Sequence, residues 1–316
     1  MIKCGIIGLG QIGCLYDGGV YDGSRTLTHA SCYNKHPSTV LVSVHDLNTK
    51  MIQNLQNARN GLNIKGFHNI SDFFNSEIDC LSICSPAEFH AQHLVDALNK
   101  NIKYIWLEKP VCLSETETVN IEKARIASSS KVLVNYPRTF MIQYQNFKTE
   151  CQSAIDYLRI IEVSYSRGLE ENGVHILHFL LDLFGEVKPE IRWVLQRDLR
   201  CPSFGFVVDK VQFLFKGIDV DYHCIEVVAT FETKRIAIKQ SGNQYTEELV
   251  STNKEFKNSH LLSEPVNKGN VHISTFSEGM FSSLHYLISS NAVNKFNTLE
   301  QGILADRIIR DVRNFC

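Results

Sequence analysis

Three features are missing from the sequence, and each absence excludes a class of protein. Positive charge is not in excess, since 32 Lys and Arg residues face 34 Asp and Glu residues, so we expect neither a nucleic-acid partner nor a membrane-surface partner. The apolar N-terminal stretch MIKCGIIGLG is too short for a signal segment or a membrane span. No CxxC pair occurs among the ten cysteines, so we expect reduced thiols in a cytoplasmic protein rather than a zinc ribbon.

The composition is that of an ordinary globular protein. Hydrophobic residues make up 44% and charged residues 21% of the 316 positions, values that do not favour extensive disorder. A chain of this length can bury two separate cores. The sequence shows no internal repeat and no low-complexity segment, so we expect two folded domains.

The first 138 residues alternate short apolar runs with helical patterns. The apolar runs are KCGIIGLG, VLVSVHD, DCLSICSP, KYIWLEKP and KVLVNYPRT. One helical pattern starts with a capping box formed by Ser114 and Glu117. Near-continuous apolar strands that alternate with helices are typical of a parallel sheet covered on both faces. The sequence therefore predicts an α/β fold with a doubly wound Rossmann domain over residues 1–138.

The pattern changes in residues 139–316. A helical stretch, ENGVHILHFLLDLFG, ends at Gly185 as a helix stop. Longer strand-like runs follow: EIRWVLQRD, KVQFLFKG, HCIEVVATFE and KRIAIKQSG. In RIAIKQ apolar and polar residues alternate, as in a sheet with one packed face. We expect an α+β domain with an open, mainly antiparallel sheet, closed by an amphipathic helix over TLEQGILADRIIRDV that can pack back on the first domain.

A glycine motif follows the first predicted strand. Gly8, Gly10 and Gly13 form GxGxxG, with Gln11 and Ile12 between the last two glycines. Gly8 permits a tight turn, Gly10 lets the backbone approach a diphosphate, and Gly13 allows close helix–strand packing. The diphosphate would bind the N–H groups at the start of the next helix. The motif in this context predicts a dinucleotide-binding loop.

Asp46, at the end of the second predicted strand, fits the acid that binds both ribose hydroxyls. It lies farther from Gly13 than is usual, and an inserted loop over residues 16–28 accounts for the difference. Its carboxylate would repel a 2′-phosphate and no Arg follows it, so the sequence favours NAD over NADP. The alternative interpretation is an ordinary glycine turn with a surface aspartate.

Four segments together resemble the glucose–fructose oxidoreductase/inositol dehydrogenase family (Gfo/Idh/MocA). They are GIIGLGQIG, SICSPAEFHAQHL, LEKPV and NGVHILHFLLDLFG. The resemblance covers most of the chain, with a looser match in GVYDGSRT and in residues 186–270. It implies a Rossmann domain followed by an open-faced α/β domain, with the active site between them.

The resemblance gives Glu108, Lys109 and Pro110 a role at the end of a buried strand. Lys109 would hydrogen-bond the reacting hydroxyl and stabilise the developing alkoxide. Glu108 would hold the loop or the sugar and contribute to the cofactor site. Pro110 fixes the chain direction, and the family often has a cis bond at this position. The alternative is an ordinary exposed Glu–Lys pair after a strand.

A second group of candidates shares one face of a helix, since Glu171, His175, His178 and Asp182 lie at i, i+4, i+7 and i+11. By motif position His175 resembles the family's catalytic histidine, a general base that takes the hydroxyl proton. Glu171 and His178 each occupy a position where the family commonly has Asp. Glu171 would orient His175, and His178 would contact substrate or simply pack. The same stripe also resembles a zinc site, although a nicotinamide site needs no metal and we expect none.

Three further residues resemble the family segment that lines the nicotinamide half of the cofactor, namely Ser85, Pro86 and His90. His90 could equally be a surface helix residue. Arg138, at a predicted strand end, would bind a phosphate or carboxylate of the substrate or make a structural hydrogen bond.

We therefore expect an NAD-dependent oxidoreductase that interconverts a secondary alcohol and a ketone on a sugar, a polyol or a nucleotide sugar. The resemblance also implies a homodimer or homotetramer that pairs through the open sheet. The competing hypothesis is a non-catalytic NAD-binding regulator or scaffold with the same fold.

Overall fold

The structure, a computed structural model, describes ten segments of the chain. They comprise residues 1–18, 25–58, 63–185, 190–196, 200–220, 224–232, 234–241, 250–253, 276–289 and 298–316. Residues 19–24 of the predicted inserted loop lie outside the described residues.

The strands and helices alternate in the first part of the chain and separate later. The strands are β1 (Ile2–Ile7), β2 (Thr39–His45), β3 (Lys65–Phe67), β4 (Cys80–Ile83), β5 (Tyr104–Leu107), β6 (Lys131–Val134), β7 (Leu158–Ser166), β8 (Glu190–Gln196), β9 (Ser203–Val208), β10 (Val211–Ile218), β11 (Cys224–Phe231), β12 (Lys234–Ser241) and β13 (Val250–Asn253). The α-helices are α1 (His29–Lys35), α2 (Thr49–Ala58), α3 (Ile70–Phe74), α4 (His90–Asn99), α5 (Glu115–Ile126), α6 (Ile142–Ser153), α7 (Val174–Phe184), α8 (Phe276–Ser289) and α9 (Leu299–Phe315).

Two compact units make up the chain. The first comprises Met1–Pro137 and Phe276–Ile303, and the second comprises Arg138–Thr275 and Leu304–Cys316. Helix α8 belongs to the first unit, where it contacts α1, β5 and β6. The boundary between the units therefore passes through the first turns of α9.

The first unit contains a six-stranded parallel sheet in the order β3-β2-β1-β4-β5-β6. All four residues of β4 and the last four of β1 are buried, because helices cover both faces of a sheet of this kind. The strand order reverses between β1 and β4, so a crevice opens at the carboxyl ends of these two strands. The predicted doubly wound Rossmann domain is confirmed.

Local signals start two helices of the first unit, and the sequence predicts one of them, the capping box of α5. Ser114 Oγ accepts the N–H of Glu117, whose carboxylate accepts the N–H of Ser114, so the predicted capping box starts α5. A second capping box, formed by Thr28 and Ser31, starts α1. Each box satisfies N–H groups that lack an intrahelical partner.

The second unit contains a seven-stranded mixed sheet in the order β13-β12-β11-β7-β10-β9-β8. Every pair is antiparallel except β7 with β10. Burial alternates along β10 and β11, so one face of the sheet is packed. On that face the rings of Phe206 and Phe213 stack with centroids 4.7 Å apart, and burying each such ring contributes about 1.5–3 kcal/mol. The predicted α+β fold with a mainly antiparallel sheet is confirmed.

Candidate functional site

The glycine turn after β1 satisfies the steric requirements of a diphosphate loop. Gly8 has a φ of 90°, and a Cβ added there would lie 2.4 Å from the carbonyl oxygen of Cys84. A Cβ on Gly13 would lie 2.2 Å from the carbonyl oxygen of Gly8. A Cβ on Gly10 would meet nothing within 4 Å. Gly8 and Gly13 are therefore required by the turn itself, whereas Gly10 leaves open space above the backbone.

The helical turn after the glycine motif offers N–H donors beside that open space. Gln11–Leu15 form a single π-helical turn capped by Gly10. The N–H of Cys14 donates to Gly10 O at 2.9 Å, so the amides of residues 10 to 13 precede the first bond within the turn. Such unsatisfied amides bind anions. Gln11 is exposed and Ile12 is half-buried, and the loop fits the diphosphate of a dinucleotide.

Asp46 follows β2 and connects it to the glycine turn. Its Oδ2 accepts the backbone N–H of Leu9 at 2.8 Å, and its Oδ1 accepts that of Asn48 at 2.8 Å. A carboxylate has about four acceptor positions, so both oxygens keep capacity for ribose hydroxyls. The half-buried carboxylate is thus fixed beside the loop, a position that suits a ribose.

The segment after β5 joins a buried acid to a half-buried lysine. Glu108 is buried, and its Oε1 accepts from His29 Nε2 at 2.9 Å and from Asn135 Nδ2 at 2.5 Å. Burial raises the pKa of Glu108, but the hydrogen bond and charge of His29, the hydrogen bond of Asn135 and the charge of Lys109 outweigh it, so the pKa is lowered. The Lys109–Pro110 bond is cis, as the resemblance suggested. Glu108 is therefore a buried carboxylate that stays ionised directly before Lys109 in the chain.

The segment after β4 faces this turn. Ser85 is half-buried and its Oγ lies 2.9 Å from Nδ1 of His93, while Pro86 is exposed. His90 is 2% exposed, and its two ring nitrogens contact the carbonyl oxygens of Ser85 and Pro110. Burial lowers the pKa of His93 to about 4, with repulsion from His45 and His90 adding to the effect.

The structure thus brings together, at the carboxyl ends of β1, β2, β4 and β5 in the first unit, all the residues predicted for the cofactor, together with Lys109, which was predicted for catalysis and substrate binding. The predicted cofactor residues are Gly8, Gly10, Gln11, Ile12, Gly13, Asp46, Ser85, Pro86, His90 and Glu108. A ligand-binding crevice is expected at this edge of a doubly wound sheet. Their individual roles stay predictions.

The second unit holds the remaining candidates. His175 lies in the first turn of α7 and is 7% exposed. Glu171, in the preceding helical turn, is exposed, and within the described part of the chain it forms no hydrogen bond with His175. Arg138 is buried in the short helical turn that follows β6. The predicted roles of these residues stay predictions.

One turn farther along α7, His178 is fully buried beside an ion pair. Lys148 Nζ of α6 lies 2.5 Å from Asp182 Oδ2 of α7, with both side chains almost inaccessible. Burial, and secondarily the Lys148 charge, lowers the pKa of His178 to about 3. His178 is therefore a neutral imidazole at physiological pH.

The sequence did not reveal a set of buried polar groups that is connected to Glu108 through His29. His29 of α1 contacts Ser82 Oγ at 2.8 Å through Nδ1, and Ser82 Oγ lies 2.6 Å from Tyr33 Oη. The His29 ring packs on Trp106 with centroids 3.9 Å apart. His29 follows a capping residue, but nothing in its local pattern points to residue 108, which is why it was not found.

The chain matches a known family over its first unit. Residues 2–136 match the Gfo/Idh/MocA family, described as an oxidoreductase family with an NAD-binding Rossmann fold. The chain carries the NAD-binding domain of the Gfo/Idh/MocA oxidoreductases. The resemblance predicted from GIIGLGQIG and LEKPV is confirmed.

Solved structures share the fold over almost the whole length of the chain. Apo scyllo-inositol dehydrogenase from Lactobacillus casei aligns with a TM-score of 0.71 and 13% identity, over 99% of this chain and 95% of that one. A 3-ketoreductase from Actinomadura kijaniata in complex with NADP gives a TM-score of 0.72 and 14% identity, over 99% and 97%. An oxidoreductase from Agrobacterium radiobacter in complex with NAD+, L-tartaric acid and magnesium gives 0.70 and 11%, over 99% and 96%.

No curated protein matches the chain in sequence. Among the described helices, none combines the length and the apolar character needed to cross a membrane.

Proposed function

We propose that this Gfo/Idh/MocA protein is an NAD-dependent oxidoreductase that moves a hydride between nicotinamide and a secondary alcohol or ketone of a sugar, a polyol or a nucleotide sugar. The main support for the proposal is that the glycine turn, Asp46 and Lys109 lie at the same edge of one parallel sheet. Solved relatives that share the fold include an inositol dehydrogenase and a ketoreductase, which supports this substrate class.

The chemistry assigns separate tasks to the chain's own residues. When bound, the nicotinamide supplies the hydride acceptor. Lys109 donates a hydrogen bond to the reacting hydroxyl and stabilises the alkoxide as negative charge develops. His175 takes the hydroxyl proton as a general base. Glu108 stays ionised beneath Lys109, which keeps the ammonium oriented.

We further propose that residues 1–138 bind the cofactor and that residues 139–316 supply substrate contacts and the oligomer interface of a cytoplasmic homodimer or homotetramer. The sheet of the second unit supports an interface, because its unpacked face mixes half-buried apolar side chains with charged ones. Eight of the ten cysteines are buried free thiols, which suits a reducing compartment.

The central experiment replaces the two proton-handling residues. We expect Lys109→Ala and His175→Ala each to lower kcat by about 10²–10⁴-fold, the range of a general acid–base group, while NAD affinity is kept. The measurement is NADH formation or consumption over a panel of sugars, polyols and nucleotide sugars, with NAD binding followed by calorimetry. Lys103→Ala, an exposed lysine just before β5, is the matched control.

Retained turnover in both variants would remove the mechanism. A wild-type protein that binds NAD tightly, turns over nothing on the panel and captures a protein partner would instead favour the regulator or scaffold.

The preference for NAD over NADP is tested at Asp46. Its anionic carboxylate would repel a 2′-phosphate, and Asp46→Asn removes the charge while keeping an oxygen that can accept the Leu9 N–H. We expect the ratio of NADP affinity to NAD affinity to rise about tenfold, equivalent to about 1.4 kcal/mol. Asp72→Asn, an exposed acid of the same unit, should leave the ratio unchanged, and an unchanged ratio in Asp46→Asn would contradict the assignment.

A further inference from the structure

His90 has a hydrogen-bonding arrangement that a neutral imidazole cannot satisfy. Its Nδ1 lies 2.6 Å from the carbonyl oxygen of Pro110, and its Nε2 lies 2.7 Å from the carbonyl oxygen of Ser85. Carbonyl oxygens only accept hydrogen bonds, and a neutral imidazole carries a single N–H. Both contacts are hydrogen bonds only if both ring nitrogens are protonated. A ring protonated on both nitrogens would donate to both carbonyl oxygens, and the residue is 2% exposed.

A second buried histidine of the first unit, His29, shows the contrast. His29 Nε2 donates to the carboxylate of Glu108, and His29 Nδ1 contacts Ser82 Oγ. A hydroxyl can donate, so Ser82 satisfies an unprotonated Nδ1. The partners of His29 thus accommodate a neutral or a charged ring, whereas two carbonyl oxygens can only accept from His90.

The two acceptors of His90 lie at positions that matter for Lys109. Ser85 follows β4 by two residues, and Pro110 directly follows Lys109 after β5. Because β4 and β5 are parallel neighbours, the ring of His90 joins their carboxyl ends. Together with the contact of His29 to Glu108, it fixes the backbone on both sides of Lys109.

We propose that His90 is a buried imidazolium that positions Lys109 by binding the carbonyl groups of Ser85 and Pro110. His90 acts through the turn and not by contact with the cofactor, since both of its polar atoms are committed to the protein backbone. The charge state is independent of the proposed function, whereas the consequence for turnover depends on it.

The surroundings of His90 contain both signs of charge. Its own helical segment carries Glu88 and His93, the end of β4 carries Cys84, and the end of β5 carries Glu108 and Lys109. His45 of β2 acts on His93, whose pKa is lowered by burial and then by repulsion from His45 and His90. The ionised Glu108 supplies the negative charge of this group.

The charge state is tested by nitrogen NMR of the full-length protein labelled with ¹⁵N-histidine. His90→Gln assigns the signal by its disappearance. We expect both ring nitrogens of His90 to carry protons near neutral pH, because each of them faces a carbonyl oxygen. A spectrum with one protonated and one bare nitrogen would overturn the proposal, whatever the protein's activity.

The positioning role is tested by kinetics on a substrate found with the panel above. His90→Leu removes both donors, and we expect kcat to fall about a hundredfold, as for a small misplacement of a reacting group, with KM and NAD affinity within twofold. His90→Gln, whose amide has two N–H donors, should retain more of the rate. Gln92→Leu, an exposed change on the same helix, is the control.

An unchanged kcat in His90→Leu, a loss confined to KM, or an equal loss in the Gln and Leu variants would each overturn the positioning role. Thermal unfolding shows whether a variant is folded. If wild-type protein turns over no substrate, the function proposed above fails while the NMR experiment still decides the charge of His90.

Discussion

The carboxyl edge of the first sheet and helix α7 of the second unit both bury charge, but they stabilise it differently. At the sheet edge, Glu108 is held by His29 and by the amide of Asn135, close to strand ends whose backbone is fixed. In α7, Asp182 is held by Lys148, a long side chain from another helix. Donors close to fixed backbone cost little entropy to order, whereas a buried ion pair must overcome the desolvation of two charges.

The difference shows where each site is sensitive. At the sheet edge, a substitution that leaves the backbone in place should keep the protein stable. It should weaken ligand binding only when the new side chain blocks the ligand's approach to that backbone. Helix α7 should respond to any change that leaves one charge of its pair alone. Three experiments sharpen this comparison.

The largest effect is expected at the ion pair. Asp182→Ala leaves the Lys148 ammonium buried without its carboxylate, and we expect the free energy of unfolding to fall by about 3–5 kcal/mol. The double change Lys148→Met with Asp182→Leu removes both charges and should be close to wild type. Chemical denaturation of the three proteins measures the differences.

Asp156→Ala, at an exposed position just before β7, is the matched control and should change stability by no more than about 0.5 kcal/mol. A double variant as unstable as Asp182→Ala would show that packing, and not the unpaired charge, causes the loss.

A smaller effect is expected from the titration of His178. Its pKa falls from 6.5 to about 3 on folding, so the unfolded chain binds the proton first as the pH drops. Protonation of this histidine therefore leaves the free energy of unfolding unchanged well above pH 6.5 and lowers it progressively as the pH falls toward 3. Because of this histidine, the free energy of unfolding should fall by about 2 kcal/mol between pH 6.5 and about pH 5.

His178→Asn should remove that part of the pH dependence, measured by denaturation at several pH values. His68→Asn, an exposed histidine of the first unit, should keep the wild-type slope. Equal slopes for wild type and His178→Asn would show that His178 is not held neutral.

The smallest effect is expected at the glycine turn. A Cβ on Gly10 meets no protein atom within 4 Å, so Gly10→Ala should leave the thermal midpoint unchanged and weaken NAD binding about tenfold. Gly13→Ala, where the Cβ would lie 2.2 Å from Gly8 O, should lower the midpoint as well. Calorimetry and thermal unfolding of both variants test this, and unchanged NAD affinity in Gly10→Ala would exclude the loop as a diphosphate site.

Much of the fold could be predicted because its signals are local. The capping box at Ser114 and the helix stop at Gly185 are both where the sequence places them. Strands β7 (LRIIEVSYS) and β9 (SFGFVV) were not predicted from the sequence. The parallel pairing of β7 with β10 joins residues distant in the chain, such as Ile160 and Gln212, whereas β9 and β10 are consecutive strands that pair as a hairpin.

The glycine turn, the acid after β2 and the Glu108–Lys109–Pro110 segment can be recognised from consecutive residues, because each depends on backbone geometry over a short stretch of chain. Which groups contact that segment depends on how the strands and helices pack. His29, His90 and the Lys148–Asp182 pair meet their partners across 79, 20 and 34 positions of the chain. The periodicity of apolar residues does not predict such contacts, because they form only when whole strands and helices pack and bring distant donors to one acceptor.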